Sequence, residues 1–199
     1  MIILVHGLMR THRSMYRLGK YLKKEGYEIY LYRYASTKYD IVEHGAQLKL
    51  FIEDLLTINP DKKLSFVTHS LGGIITREAL SLLSEKQISQ CDRLIMMSPP
   101  SKGSPYPKFL LKYLPFLSRI IKPLAELSCD PESYVHKVPV PVKLKIGIIV
   151  GRFDTITPPT VTTLNTQCEF IILNSGHTFI MNNSDARKAI VHFLKNDTF

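Results

Sequence analysis

Short apolar runs rich in β-branched residues alternate along this chain with segments whose apolar residues recur at helical spacing. That alternation restricts the fold more than any other feature, because strands joined by helices pair in parallel and need cover on both faces. Residues 2–5 form the first run, and others follow at 27–34, 64–67, 94–97, 144–150 and 170–173. After the first run, Met15, Leu18 and Leu22 mark one helical face behind Ser14, which reads as its N-cap. Ile41, Gly45, Leu48, Ile52 and Leu55 step by 4, 3, 4 and 3, and Pro60 ends that stripe. Ile75, Ala79 and Leu82 mark the helix after the third run. Ala186, Ala189, Ile190, Phe193 and Leu194 mark the last helix. The pattern predicts an α/β fold with about six parallel strands and helices on both faces.

At 199 residues the chain suits one sizeable core, and its 45% hydrophobic and 22% charged content excludes disordered, collagen-like and fibrous classes. No apolar run approaches the ~20 residues that span a bilayer. The opening MIILVHG is also too short for the core of a signal peptide. Cys91, Cys129 and Cys168 form no CxxC pair, which argues against a disulfide framework or zinc site and for a reducing, cytoplasmic setting. They read as small buried hydrophobes. The net charge of +9 is spread out: residues 1–40 carry eight basic and three acidic side chains, and 101–125 carry five basic and none acidic. No tail of like charge and no nucleic-acid motif is present, so nucleic acid is not an expected partner.

The chemistry concentrates at Thr68-His69-Ser70-Leu71-Gly72-Gly73, directly after the third run and directly before a helix. A serine on so sharp a strand-to-helix turn takes a strained backbone geometry and needs small neighbours. The turn projects its hydroxyl above the sheet and puts the next N–H at a helix N-terminus, where an oxyanion is favoured.

These residues resemble the elbow of the α/β-hydrolase family, in the branch of small lipases and esterases that read HSxGG. Three further segments match the family pattern. His6-Gly7 follows the first strand as the family's HG turn does, Gly151–Pro158 resembles its GxxDxxxP acid turn, and Ser175-Gly176-His177 resembles its GH turn. The resemblance implies a minimal α/β-hydrolase fold over residues 1–199, with strands in the family's order 4-3-5-6-7-8 and its first two strands missing. It also implies Ser70 as nucleophile, His177 as base, Asp154 as the acid that orients it, and the Leu8 and Leu71 backbone N–H groups as oxyanion donors. Asp92 and Asp130 stand as alternative acids. Thr68 occupies a place where Gly, Ala or Ser is usual, so steric pressure under the elbow has to be relieved elsewhere. His6, Met9 and His69 are candidate substrate contacts. His12, His44, His136 and His192 read as surface or helix-face residues without metal-ligand spacing, and no metal or cofactor is expected.

Residues 101–141 lack a clear strand and hold seven of the twelve prolines. Connections of that length tend to be functional, so this stretch is expected to be a lid or cap, its middle at 108–124 broken at Pro115 into two short helices at most. Its apolar residues and Lys102, Lys108, Lys112, Arg119 and Lys122 suit either an anionic lipid surface or a segment that completes the core. The expected activity is hydrolysis of a lipid-like or acyl-bearing carboxylic ester. A thioesterase, an acyltransferase and a catalytically silent lipid- or protein-binding module are the alternatives. A serine at the elbow and the absence of Trp argue against dehalogenase chemistry. The sequence leaves the oligomeric state open.

Overall fold

The computed structural model describes residues 1–199, and its six strands form one parallel sheet. In chain order they are β1 (Ile2–Val5), β2 (Ile29–Leu31), β3 (Leu64–His69), β4 (Cys91–Met97), β5 (Lys145–Gly151) and β6 (Glu169–Leu173). The spatial order β2-β1-β3-β4-β5-β6 is the one expected, renumbered from the start of this chain. In register, Ile3 lies opposite both Tyr30 and Phe66, while Met96 lies opposite Thr68 and Ile148. The central strands β1, β3 and β4 are almost wholly buried, as continuous apolar runs covered on both faces must be. The second run yields only three strand residues, because β2 is an edge strand paired on one side.

The helices are α1 (Tyr16–Lys24), α2 (Ile41–Ile58), α3 (Leu71–Ser81), α4 (Glu85–Ile88), α5 (Pro105–Tyr113), α6 (Leu117–Ile120), α7 (Pro123–Glu126), α8 (Pro159–Thr162) and α9 (Ser184–Asn196). One core packs α2 and α3 against Ile3, Val5, Phe66, Met96 and Ile148. A second packs α1 and α9 on the opposite face, against Leu4, Val67, Ile95 and Ile149. Strict alternation of Val67 and Phe66 between the two cores is the period-two rule of a strand.

Ser14 does not cap α1. It lies in a 3-10 turn, its hydroxyl donates to the Thr11 carbonyl at 2.8 Å, and the helix starts after Met15. A capping box does form on α2, where Asp40 accepts from the Glu43 N–H at 2.7 Å and Glu43 reaches back to the Asp40 N–H. Pro115 parts α5 from α6 as expected, and a third short helix, α7, follows at the end of that middle segment, where Pro123 starts it at a position where its missing N–H costs nothing. His44 is fully buried among Tyr34 and Tyr39, whereas His136 and His192 are exposed as expected. Among the cysteines, Cys91 is buried but Cys129 and Cys168 are only half-buried.

No helix is long and apolar enough to cross a membrane.

Candidate active site

The loops that leave β1, β3, β4, β5 and β6 all emerge at the same edge of the sheet, because parallel strands point their C-terminal ends one way. Ser70 follows β3 with φ 51° and ψ −123°, and Met9 and Ser98, after β1 and β4, also have positive φ. Strained residues with side chains thus cluster on three neighbouring strand ends, where surrounding structure holds them.

The elbow works because of what stands beside it. A Cβ at Gly72 would lie 2.6 Å from the carbonyl oxygens of Val5 and His6, so α3 packs directly on the end of β1 and residue 72 has no room for a side chain. A Cβ at Gly73 would lie 3.2 Å from Thr68 Oγ1 and 3.2 Å from Met96 Sδ. The bulk of Thr68 is therefore accommodated by the second glycine after the serine. Ser70 N–H donates to the Met97 carbonyl at 2.9 Å, fixing the turn to β4.

His177 Nδ1 lies 2.8 Å from Asp154 Oδ2. A carboxylate only accepts, so Nδ1 carries the proton and Nε2 is left free to take one. The other carboxylate oxygen accepts from the Ile156 N–H at 3.0 Å and the Thr157 N–H at 2.7 Å. Burial disfavours the charged form of Asp154, but the bond to His177, its charge and the Thr157 N–H outweigh burial and hold the carboxyl below its usual range. Thr157 Oγ1 sits 2.9 Å from Asp154 Oδ2, 2.9 Å from His177 Nδ1 and 3.2 Å from the Ser98 carbonyl. Sequence reasoning missed Thr157. Its signal is the spacing Asp-x-x-Thr, which lets an Asx turn place the hydroxyl beside the carboxylate it follows.

Asp92 and Asp130 are engaged elsewhere, Asp92 with Arg93 and Asp130 with Lys108 at 2.6 Å.

His69 is buried and its Nε2 donates to the His177 carbonyl at 3.0 Å, tying the elbow to the loop that carries His177. Burial and the nearby His177 push its pKa down to about 3, so it stays neutral. His6 does not reach the cavity. Its ring stacks on Tyr34 at 4.1 Å, its Nδ1 lies 3.0 Å from the Gly7 carbonyl, and Tyr34 Oη donates to its own carbonyl at 2.6 Å. It braces the turn from behind.

Leu8 N–H makes no hydrogen bond to backbone or side chain, and Leu71 opens α3, where an N–H has no partner within the helix. Ser70 and His177 open with Leu8, Met9 and His69 into one cavity of about 490 Å³. The Ser70 hydroxyl is not hydrogen-bonded to the His177 ring. Much of the apolar lining of the cavity comes from 101–141, chiefly Pro107, Leu110, Leu117, Ile121, Leu124 and Leu127.

Residues 1–124 match the family model described as "Putative serine esterase (DUF676)". The chain belongs to this family. It is accordingly a carboxylic ester hydrolase with the α/β-hydrolase fold. The family match covers the elbow serine, while Asp154 and His177 lie beyond it. Among solved structures, the mature lipase BlEst2 of Bacillus licheniformis superposes with a TM-score of 0.75 at 18% identity, covering 100% of this serine esterase and 91% of the lipase. A monoacylglycerol lipase of Paleococcus ferrophilus gives 0.71 at 19% identity, covering 98% and 94% of the two chains. The Legionella pneumophila phospholipase PlaB gives 0.79 at 17%, and here the esterase, matched over 100% of its length, spans only 60% of the larger chain. Identities this low establish the fold. No curated protein sequence matches the chain.

Proposed function

We propose that this esterase cleaves esters of apolar acyl chains through an acyl-enzyme on Ser70. The observation that carries the reading is the opening of Ser70 and the Asp154-oriented imidazole into a single cavity with an apolar wall. His177 Nε2 takes the hydroxyl proton as Ser70 Oγ attacks the ester carbonyl. The Leu8 and Leu71 N–H groups receive the oxyanion, and the imidazolium, stabilised by Asp154, returns the proton to the departing alcohol. Water activated by the same ring then releases the acid. The Ser70–His177 hydrogen bond forms in the substrate complex, as such catalytic bonds tighten from looser ligand-free geometry.

Reaction with a fluorophosphonate probe tests the assignment. Labelling at Ser70, abolished in Ser70→Ala and in His177→Ala, is the expected result. A folded protein that resists the probe overturns it.

Residues 101–141 form the lid of this single domain. Phe109, Tyr113, Phe116 and Ile120 face solvent, interspersed with the exposed cations Lys112, Arg119 and Lys122. Apolar side chains set among cations fit a surface of anionic lipid. Binding to vesicles containing phosphatidylglycerol should weaken steeply between low and about 0.5 M salt, where the Debye length shrinks below about 5 Å. Equal affinity for neutral vesicles would exclude the anionic surface.

A further inference from the structure

One guanidinium in the catalytic cavity has no partner. Arg10 is the single side chain with a formal charge among the lining residues besides the imidazoles, and it makes no hydrogen bond or ion pair through its side chain. It rests over the Phe179 ring, 5.9 Å from the centroid. Its neighbourhood is electropositive. Thr11, His12, Arg13, Arg33 and Ala35 line an adjoining depression, and Ser36 Oγ donates to the Arg10 carbonyl at 3.5 Å. Neither Arg13 nor Arg33 is in an ion pair, and their charges, after slight burial, help to hold the His12 pKa down.

Position decides which half of a substrate meets this charge. The departing alcohol must lie at His177, because that ring returns its proton. Thr178 and Phe179 follow His177 directly, and Arg10 follows the oxyanion loop and stacks on Phe179. An alcohol held near His177 is thereby brought toward the loop on which the guanidinium rests, and the apolar lining at Pro107–Leu127 is left for the acyl chain. A guanidinium can donate to a neutral hydroxyl, but its charge is met only by an anion. A planar fork of donors suits an oxyanion, and a phosphate monoester brings about −1.5 to −2 units of charge to Arg10, with Arg13 and Arg33 in the depression beyond it.

We propose that Arg10 reads a phosphate on the alcohol half of the ester, so that the enzyme prefers acyl esters of phosphorylated alcohols. This rests on the serine-esterase mechanism above and names its substrate class. The phosphate oxygens accept from the Arg10 guanidinium as the ester carbonyl reaches Ser70, and Arg13 and Arg33 add attraction at longer range.

The test compares kcat/KM for octanoylglycerol and for its phosphate monoester, both kept monomeric, with p-nitrophenyl butyrate as a reference ester. Wild type is expected to favour the phosphorylated ester by about tenfold or more, the scale of one hydrogen bond to a charged group. Arg10→Gln should bring that ratio down by a similar factor, Arg10→Lys should retain part of it, and Lys195→Gln, on α9, should leave the ratio where it was. High salt should compress the wild-type ratio. Turnover of the reference ester with a ratio near one, with neither glycerol ester cleaved, or with a ratio that Arg10→Gln does not move, overturns the proposal. Loss of turnover on the reference ester as well would strike instead at the mechanism on which it rests.

Discussion

Ser70→Ala and His177→Ala should each lower kcat on a soluble ester by on the order of 10⁶, and the double variant should be scarcely worse than either. The reason is that the pair acts as a unit: without the base the hydroxyl is a poor nucleophile, and without the hydroxyl the base has nothing to activate. Asp154→Asn should lose less, on the order of 10⁴. The Thr157 hydroxyl and the N–H groups of residues 156 and 157 hold the turn in place even when the charge is removed. Single-turnover kinetics with p-nitrophenyl esters, alongside circular dichroism to confirm folding, measures all four variants. A Ser70→Ala variant with activity within tenfold of wild type defeats the assignment.

The second large effect is on stability in acid. His6, His44 and His69 are all buried, and burial is the main cause that lowers each pKa, to about 4 for His6 and about 3 for His69. In the unfolded chain each titrates near 6.5. Between pH 6.5 and 4 the unfolded state therefore binds more protons than the folded state, and stability falls as pH falls. Above pH 6.5 the contribution is fully present. Each such group steepens the slope by up to about 1.4 kcal/mol per pH unit, so the combined loss approaches the net stability of a typical domain. The urea midpoint should drop sharply from pH 7.5 to 5, with uptake of about two protons or more on unfolding. Replacing His44 with Leu, which removes ring nitrogens that have no partner, should flatten the slope. A midpoint unchanged between those pH values contradicts this account.

Much of the architecture was legible because it obeys local rules. The apolar runs at residues 2–5 and 94–97 need no knowledge of their partners to be read as buried strands, and the strand order followed from the resemblance that Ser70 and its neighbours carry. The motif turns after β1, β3, β5 and β6 were legible for the same reason, since each is a short segment with a fixed backbone task. What escaped was set by contacts distant in sequence. Nothing near His44 shows that Tyr34 will close over it. The spacing around Ser14 fits a cap, yet its hydroxyl finds the Thr11 carbonyl first. Thr157 and Arg10 gain their meaning only when loops from different strands meet at one edge of the sheet. The third helix of the 101–141 stretch escaped because its four residues are too few to show a helical period, and only the position of Pro123 at its first turn marks its start.

The attachment of that stretch has a mechanical result. Its near end is tied down by the Lys102 N–H to Val161 and by the Ser104 hydroxyl to Ile156. Its far end is tied by the Lys122 N–H to Thr37, the Glu126 carboxylate to the Ile41 N–H, and the Arg77 guanidinium to the carbonyls of Val138 and Pro139. Residues 105–121 hydrogen-bond only among themselves and their neighbours in the stretch, so the roof over the cavity is a short span between two piers. Such a span is free to flex over the cavity while the sheet edge below, which carries Ser70 and His177, keeps its shape.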